Sequence, residues 1–414
     1  MRVLFTVQPS IGHLHPLVPV ATTLQAAGHE VAVCSAASFR PDVEAFGLTH
    51  LDAGLDWLAG DHATWTAFPP MPPPGPEFAA FVVTVFADVT TQHMVPDLLR
   101  IAHEWQPDLI VRECMEYGGC LAAEALGIPH ASIAGNAYSA IDDPAVRYFP
   151  GNRLMVAAPM ARHREQLGLE PDPEVAMPYR RLHLAFTPPA WDVEGAPRPA
   201  NIQFLRHTST VRPDAALPTW LGEVRAALPG VRGGLPARPT VLASLGTVFN
   251  KTPGVLDAIV EGLGQEPINL IVAIGPDQDP ARFGPQPPNV RLEGYVAQPL
   301  LLEHCDVFVT HGGFNSVKES LAAGVPMVVV PITADQPYSA GRCEALGVGR
   351  VVGTADRSAG AVRNAVRQVL DDPSYRAAAG RFRAEMAALP GPERIVELMS
   401  SLAAERDSVG AVQR

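Results

Sequence analysis

The sequence is short of lysine, of basic runs and of long apolar stretches, and each shortage excludes a class of protein. Lys251 and Lys318 are the only lysines, and 31 basic residues against 43 acidic ones give a formal net charge of −12. An acidic chain without basic runs argues against nucleic acid as the main partner. No apolar stretch approaches the roughly 20 residues of a membrane span, and the N-terminus lacks the apolar length and cleavage site of a signal peptide. We therefore expect a cytoplasmic protein without stable membrane insertion.

Cysteine is also scarce, and cofactor motifs are missing. The five cysteines are scattered, with no C-x-x-C and no zinc-ligand spacing, which predicts buried free thiols rather than disulfides or a metal site. The loop after the first predicted strand lacks G-x-G-x-x-G, which argues against a dehydrogenase that uses a dinucleotide. We therefore predict no metal and no cofactor.

What the chain does contain is two series of apolar strands that alternate with helices. At 414 residues it is long enough for two domains, and each series predicts a doubly wound α/β sheet. A segment rich in proline and glycine separates the series, so we predict an N-terminal domain over 1–208, a linker near 206–218 and a C-terminal domain over 219–390. The predicted strands are Val3–Val7, Glu30–Cys34, Leu48–Leu51, Leu109–Arg112 and His130–Ile133, then Thr240–Ser244, Leu270–Ile274, Val290–Leu292, Val307–Thr310, Met327–Val330 and Arg350–Val352.

The most informative stretch of the sequence is 307–336. An apolar strand leads into a glycine turn, and a helix follows, with Asn315 or Ser316 as its predicted N-cap and Glu319 in its first turn. Glycines let backbone N–H groups approach a ligand, and a helix N-terminus carries partial positive charge. The turn therefore predicts a phosphate site, and a pyrophosphate in particular, because no Walker lysine is present to hold a triphosphate. The predicted diphosphate-binding residues here are His311, Gly312, Gly313, Asn315 and Ser316.

The run H-G-G-x-N-S-x-x-E from His311 to Glu319, followed by G-V-P and then D-Q, resembles the nucleotide-sugar signature of family 1 glycosyltransferases of the bacterial antibiotic and natural-product type. The resemblance implies the GT-B architecture, in which two Rossmann-like domains face each other across a cleft and a last helix, about 391–414 here, crosses back to the N-terminal domain. It also implies inverting, metal-independent transfer of a hexose from a nucleotide diphosphate sugar to a hydroxyl of a small hydrophobic or aromatic natural product. The protein would act as a monomer or homodimer, and UDP or TDP would be a product.

The resemblance also assigns the residues that would bind the donor. The stretch from Tyr295 to Gln298 is similar to the family's W-x-P-Q, with tyrosine in place of the aromatic residue that stacks on the base. A carboxylate at Glu319 that takes two neighbouring ribose hydroxyls favours UDP over TDP. Besides the turn residues above, the implied contacts are Gly246 and Thr247 for the diphosphate, Tyr295, Val296, Gln298 and Glu319 for the base and ribose, and Asp335 and Gln336 for the donor sugar.

A candidate general base follows the first strand. His13 and Pro16 match the family's H-x-x-P, whose histidine takes the proton of the acceptor hydroxyl, and we give His15 a secondary place. The loop after a first Rossmann-like strand is a ligand-binding position, and histidine titrates near neutrality. Glu113 stands where the family commonly has an aspartate that orients this histidine. We therefore predict His13 and Glu113 as the catalytic pair.

Aromatic residues in two irregular stretches are candidates for the acceptor site. The first stretch, 52–81, combines aromatic side chains with a run of prolines, and the second covers 136–159. Long loops of compact domains are often functional, and aromatic side chains suit an apolar acceptor. The alternative is that these rings pack on the core of their own domain. The predicted acceptor-binding residues are Trp57, Trp65, Phe68, Phe81, Tyr117 and Tyr138.

Two other functions remain open for a chain of this architecture. One is an epimerase that acts on a nucleotide sugar, which would form its product without any acceptor. The other is a non-catalytic partner that keeps the fold and stabilises another transferase. Such a partner would be expected to lose the base or the diphosphate site, whereas both patterns are intact here.

Overall fold

The computed structural model of the protein describes residues 1–73, 76–134, 153–196, 198–221 and 238–412. These residues form two compact units, Met1–Thr210 with Ala388–Arg414, and Val211–Ala387. The predicted acceptor residue Tyr138 and most of the second irregular stretch lie outside the described residues.

The first unit contains a seven-stranded sheet in the order β3-β2-β1-β4-β5-β6-β7, and all neighbouring strands pair in parallel. The strand prediction holds for β1 to β5 within one or two residues, but β6 and β7 were not predicted. Both are short, and β6 carries a histidine, so neither shows an apolar run. The strands are β1 Arg2–Thr6, β2 Glu30–Ser35, β3 Thr49–Asp52, β4 Leu109–Glu113, β5 His130–Ile133, β6 Leu182–Ala185 and β7 Ile202–Phe204.

The loop after β1 contains a short helix of its own. The sequence predicts one helix from Pro16 to Ala27, but the structure has Ile11–Leu14 and then Val18–Ala26. The Ser10 carbonyl accepts from the N–H groups of the two residues that close the first turn of Ile11–Leu14. The candidate base is therefore on a helical turn rather than in an open loop. The other helices of this unit are Arg40–Glu44, Pro76–Val83, Thr90–Trp105, Gly118–Leu126, Arg153–Gln166 and Glu393–Val412, with a π-helical turn at Thr84–Val89.

The C-terminal helix belongs to the core of the first unit, as the resemblance implied. Glu393–Val412 contributes Ile395, Met399 and Leu402 to the apolar cluster that covers one face of the sheet. The helix Val18–Ala26 packs in the same cluster. The last helix is thus held by apolar burial, and truncation before it would expose that face of the sheet.

One continuous helical run, Glu77–Trp105, is long and apolar enough to cross a membrane by length and composition. This differs from the expectation that no stretch approaches a membrane span. Half of its most apolar window is buried inside the first unit. A core helix of a folded domain passes the same test, and the buried residues Met94, Leu98 and Ile101 pack this run against the sheet.

The second unit contains a six-stranded sheet in the order β10-β9-β8-β11-β12-β13, again with parallel pairing between all neighbours. All six strands were predicted within one residue or so, and the four inner strands β9, β8, β11 and β12 are short runs of mostly buried apolar residues. They are β8 Thr240–Ser244, β9 Asn269–Ala273, β10 Val290–Glu293, β11 Val307–Thr310, β12 Met327–Val329 and β13 Gly349–Val351. The helices are Val255–Leu263, Gln298–Leu302, Phe314–Ala323, Gln336–Ala345, Ala359–Asp371 and Pro373–Ala388.

Candidate active site

Each sheet has a topological switch point, which is where a site is expected. β1 lies between β2 and β4 in the first unit, and β8 lies between β9 and β11 in the second. In doubly wound sheets, ligands bind outside the carboxyl ends of the strands at this point. The loops there carry His13 after β1 and Glu113 at the end of β4, and in the second unit Gly246 after β8 and His311 after β11.

The loops of the first unit bring the two predicted catalytic residues together. His13 Nδ1 lies 3.1 Å from Glu113 Oε2. The His13 side chain is 25% exposed and the Glu113 side chain 3%. A hydroxyl group from solvent can therefore reach the imidazole but not the carboxylate.

Glu113 is held in its ionised form. Burial raises the pKa of Glu113, but His13, the N–H of Met115 and the guanidinium of Arg112 together lower it by more, so the net shift is downward. Met115 N donates to Glu113 Oε2 at 2.7 Å. The contact with an ionised carboxylate assigns the imidazole proton to Nδ1, so a neutral His13 has its lone pair on Nε2. This is the arrangement of a general base with an orienting carboxylate.

His15 has a structural environment. Its ring packs edge-on against Phe46 at 5.8 Å between centroids, and its carbonyl accepts from Thr210 Oγ1 at 2.6 Å. Both contacts hold the backbone and ring of His15 within the first unit.

Four of the predicted acceptor aromatics form a packed cluster in the first unit. Trp57 makes edge contacts with Trp65 at 5.6 Å and with Phe68 at 4.9 Å, and Trp65 stacks on Phe81 at 5.9 Å. Trp57 is 1% exposed and Phe81 7%, so these two rings are core, as the alternative reading had it. Trp65 and Phe68 keep part of their surface exposed. They are the members of the set that an acceptor could contact.

Tyr117 was predicted to contact the acceptor, but the structure buries it in the core of the first unit. Its side chain is 2% exposed, and the guanidinium of Arg112 lies over its ring at 5.0 Å. Burial raises the pKa of its hydroxyl well above the usual value. The ring packs with Cys120 and Leu121, so it fills the core of the first unit instead of lining a surface.

Phe86 is a site residue that the sequence analysis missed. Its ring centroid lies 5.7 Å from that of His13 and 5.9 Å from that of Trp57, so it connects the catalytic pair with the aromatic cluster. Phe86 is on the π-helical turn Thr84–Val89. Such turns shift the phase of a helix by one residue and are common at functional sites. No sequence pattern predicts the π-helical turn. The one available signal was that Phe86 lies in a predicted helical segment shortly after the aromatic stretch 52–81.

The second unit holds the predicted diphosphate turn around the ring of His311. A Cβ added at Gly246 would lie 2.8 Å from His311 Cε1, and one added at Gly313 would lie 2.5 Å from His311 Nε2, so both glycines are required by the close packing of this ring. Gly246 and Gly312 also have positive φ angles of 71° and 86°. Burial lowers the pKa of His311 to about 4, against a raising effect of the Ser244 backbone. The ring is therefore neutral at pH 7. Thr247, next to Gly246, is exposed.

The helix after this turn begins earlier than predicted. Its N-cap is Gly313, and Asn315 and Ser316 lie inside the first turn of Phe314–Ala323. Gly313 has an extended conformation, φ −57° and ψ 136°, which already turns its carbonyl into the helix, where Val317 N bonds to it. Gly313 has no side chain that could cap this N-terminus. Its first N–H groups are thus suited to an anion.

The predicted base and ribose residues are adjacent in the structure. Gln298 Nε2 donates to Glu319 Oε2 at 2.6 Å and to Ser316 Oγ at 3.3 Å. Burial raises the pKa of Glu319 to about 7, although Gln298 and Lys318 lower it. A pKa of about 7 means that Glu319 is only about half ionised at neutral pH. Glu319 lies in the second turn of its helix, not in the first turn as predicted. Tyr295 is 64% exposed, as stacking on a base requires.

The other residues predicted to bind the donor lie in two loops of the second unit. Val296 is buried, and its carbonyl accepts from the backbone N–H of Gln298 at 2.9 Å. Asp335 is the N-cap of Gln336–Ala345 and follows Ala334, which has a positive φ of 57°. Gln336 was predicted to contact the donor sugar, but its side chain is hydrogen-bonded to the backbone of its own unit. Its side chain is 1% exposed, and its Oε1 accepts from two backbone N–H groups of the loop after β12.

Within the described residues, no group of three or more His, Cys, Asp or Glu side chains is placed to hold a metal ion. The sequence does contain one Asp-x-Asp, the pattern of metal-dependent sugar transferases, at 277–279. Both carboxylates have other partners. Asp277 pairs with Lys251 at 3.1 Å, and Asp279 accepts from Ala281 N at the start of Pro280–Phe283.

Comparisons with known proteins agree with this geometry. Residues 77–221 match the family described as "Erythromycin biosynthesis protein CIII-like, N-terminal domain", and residues 257–402 match the corresponding C-terminal domain. The chain is 32% identical to L-demethylnoviosyl transferase of Streptomyces niveus, over 99% of both chains. It is 29% identical to 4'-demethylrebeccamycin synthase of Lentzea aerocolonigenes, over 97% of this chain and 99% of that protein.

A solved structure shows the same fold over both units. The crystal structure of the glycosyltransferase VinC in complex with DTDP matches with a TM-score of 0.76 at 26% identity, and the match covers 98% of this chain and 100% of VinC. The fold, the sequence relatives and the family models therefore support the same family assignment for both units. The chain belongs to the family 1 glycosyltransferases of antibiotic and natural-product pathways.

Proposed function

We propose that the protein transfers a hexose from a TDP-sugar to a hydroxyl of a small hydrophobic natural product, with inversion at the anomeric carbon and without a metal ion. The observation that carries the proposal is the 3.1 Å contact between His13 Nδ1 and Glu113 Oε2 at the switch point of the first sheet. We also propose that the enzyme works in the cytoplasm as a monomer or homodimer.

The base in this proposal is His13. Its Nε2 takes the proton of the acceptor hydroxyl while the oxygen forms a bond to the anomeric carbon of the donor. The bond from that carbon to the diphosphate oxygen breaks in the same step, and the electron pair leaves with the nucleoside diphosphate. Glu113 keeps the ring in the required tautomer and stabilises the imidazolium that forms. One displacement from the face opposite the leaving group inverts the configuration.

The second unit would stabilise the leaving diphosphate. His311 is neutral because burial lowers its pKa to about 4, so it acts as an N–H donor and not as a cation. The N-terminus of Phe314–Ala323, whose N-cap is a glycine, adds oriented N–H groups and the positive end of the helix dipole. These donors supply the neutralisation that a metal ion provides in other transferases, and no cofactor takes part in the step.

The preference for thymidine over uridine differs from the expectation based on Glu319 alone. That expectation required both carboxylate oxygens to take ribose hydroxyls. Oε2 already accepts from Gln298 at 2.6 Å, so part of the acceptor capacity of the carboxylate is used before a ribose binds. A 2′-deoxyribose offers one hydroxyl on this edge, and the similar structure of VinC was solved with DTDP. Both observations favour TDP as the nucleotide.

The acceptor class rests on the aromatic cluster beside the catalytic pair. Phe86 contacts the ring of His13, and Trp65 and Phe68 offer partly exposed aromatic surface. Flat apolar acceptors gain from such rings through burial and stacking.

The test combines donor binding with product analysis. Thermal shift with TDP-, UDP- and GDP-glucose should show the largest stabilisation with the TDP-sugar, and a larger shift with UDP-glucose would refute the nucleotide assignment. Mass spectrometry of reactions with aromatic polyketide aglycones should show a hexosylated product, and the NMR spectrum of that product should show an anomeric configuration opposite to that of the donor. The variant His13→Ala should abolish transfer and retain donor binding. A changed sugar in the absence of any acceptor would indicate an epimerase instead.

A further inference from the structure

The turn that follows β4 is held by side chains to an unusual degree. Arg112 donates from Nη2 to the carbonyl of Cys114 and from Nε to the carbonyl of Glu116. Gln8 donates from Nε2 to the carbonyl between them, that of Met115, at 3.2 Å. Arg112 is 1% exposed and Gln8 2%. Three consecutive carbonyls of one turn are thus fixed by two buried side chains from different strands and loops.

The same turn carries the orienting carboxylate of the catalytic pair. Met115 uses its carbonyl to accept from Gln8 and its N–H to donate to Glu113 Oε2 at 2.7 Å. Glu113 Oε2 is also the atom that contacts His13. The Met115 N–H belongs to the peptide whose carbonyl is that of Cys114, which Arg112 holds, whereas the Met115 carbonyl belongs to the next peptide, which Gln8 holds. A shift of either peptide moves the backbone at Met115 and with it the donor to the carboxylate oxygen that faces the base.

The far end of the turn is fixed as well. Glu116 is fully buried, and its carboxylate accepts from Gly118 N at 2.6 Å and from Gly119 N at 2.9 Å, at the start of the helix Gly118–Leu126. The hydroxyl of Thr6 donates to it from β1. Between this end and the Cys114 carbonyl that Arg112 holds, the carbonyl of Met115 accepts from the side chain of Gln8.

Gln8 also connects this turn with the residue that covers His13. Its Nε2 donates to Thr90 Oγ1 at 3.0 Å, and Thr90 Oγ1 donates to the carbonyl of Phe86 at 3.0 Å. The ring of Phe86 lies against His13. The carbonyl of Met115 can only accept, which assigns the amide nitrogen of Gln8 to this side. One buried amide thus joins the two segments that contact the imidazole.

A glutamate needs such support more than an aspartate would. Its side chain has one more rotatable bond, so more conformational entropy is lost when it is fixed. The orientation of a catalytic carboxylate depends on the groups around it, and a misplacement of about 1 Å can lower a rate by about 100-fold.

We propose that Gln8 and Arg112 are positioning residues for the His13–Glu113 pair, because together they fix the two peptides on either side of the Met115 Cα, whose N–H holds the Glu113 carboxylate against His13. Neither residue contacts substrate. The proposal rests on the proposed role of His13 as the base of a sugar transfer.

The first experiment compares Gln8→Met with Ser35→Ala. Gln8→Met keeps the length of the side chain and removes its donors. Ser35→Ala is the matched control, because Ser35 Oγ is a buried donor to the carbonyl of Val7, beside Gln8, without contact to the turn. We expect Gln8→Met to lower kcat by about 10- to 100-fold with the donor KM within about twofold. Ser35→Ala should leave kcat within about threefold. An unchanged kcat in Gln8→Met overturns the proposal.

The second experiment asks whether Gln8 acts through Glu113. In a double-mutant cycle, Gln8→Met should cost little in a Glu113→Gln background, because the carboxylate it positions is already lost. Equal losses in both backgrounds would mean a general effect on folding and would overturn the proposal. If Gln8→Met melts well below Ser35→Ala, Thr90→Val removes one of the same hydrogen bonds from its acceptor side and is used in the cycle instead.

The two proposals fail in different ways. If His13→Ala still transfers sugar, the proposed function is wrong and the positioning role falls with it. If His13→Ala abolishes transfer and the Gln8 variants keep full kcat, only the positioning role is wrong.

Discussion

Glu319 should make donor binding depend on pH near neutrality. Burial raises its pKa to about 7, so the free enzyme holds a proton there in about half of its molecules at pH 7. A carboxylate that accepts a hydrogen bond from the ribose hydroxyl favours its ionised form, so donor binding should release this proton. Affinity should therefore fall as the pH drops through 7.

The magnitude follows from linkage. If only the ionised form binds, the apparent dissociation constant increases by a factor of 1 + 10^(pKa − pH), which is about 2 at pH 7 and about 11 at pH 6. Between pH 8 and pH 6 the affinity should then fall by about tenfold, and about half a proton should be released at pH 7. His311 adds nothing in this window, because its pKa of about 4 keeps it neutral throughout.

Isothermal titration calorimetry in buffers of different ionisation enthalpy measures both quantities. The ligand should be a nucleotide sugar, because the terminal phosphate of a free nucleoside diphosphate itself titrates near pH 6. Glu319→Gln cannot titrate, so it should bind more weakly at pH 8 and show a flat pH profile. A dissociation constant that changes by less than twofold between pH 8 and pH 6 would refute the reasoning. An unchanged pH dependence in Glu319→Gln would assign it to another group.

Three further predictions follow from the contacts described above. Glu113→Gln should lower kcat by about 100- to 10,000-fold at constant donor KM, because the amide can hold the wrong tautomer of His13. Asp108→Asn, at the partly buried residue before β4, is the steady-state kinetic control. Tyr295→Ala should raise the donor KM by about 5- to 100-fold with little change in kcat, since base stacking is lost equally in ground and transition states; Tyr295→Phe should retain the wild-type KM. Stability should fall as the pH drops from 6.5 towards 3, because burial lowers the pKa of His130 to about 3 from a usual 6.5 and the unfolded chain takes up the proton first. The slope is about 1.4 kcal/mol per pH unit, and the urea midpoint of His130→Gln should fall less between pH 7 and 5 than that of the wild type.

The strands of the second unit could be predicted because each one has a single physical signature. Buried parallel strands are continuous runs of apolar residues, and β8 and β11 are entirely of this kind apart from a terminal Ser or Thr. The signature fails for β6, where His183 replaces an apolar residue in a buried position. There the sheet tolerates a neutral imidazole, because burial and Arg112 lower its pKa well below the usual value. Charge state within a sheet is not visible in a single sequence.

The contact between His13 and Glu113 could be predicted from two short motifs, whereas the hydrogen bonds that support it could not. His13 and Glu113 follow strands that the apolar pattern marks, so their place at one sheet edge follows from topology. Gln8 and Thr90 are ordinary polar residues, and their meeting depends on the π-helical turn before Thr90. The N-cap of Phe314–Ala323 was misplaced for a related reason. Asn315 and Ser316 are good caps, but close packing on His311 requires glycine at 313, and the helix begins there.

Two buried glutamates with opposite pKa shifts explain how one fold serves two tasks. Burial raises the pKa of both, but Glu113 is overcompensated by His13, Met115 N–H and Arg112, whereas Glu319 has only Gln298 and Lys318 against it. Glu113 therefore remains charged through a catalytic cycle, which an orienting group for an imidazolium requires. With a pKa of about 7, Glu319 is expected to lose its proton when it binds a ribose hydroxyl, so that its charge stabilises the complex more than the free enzyme. Glu113 ends β4 and Glu319 lies in the helix that follows β11, and the opposite pKa shifts of the two carboxylates are set by the neighbours of each.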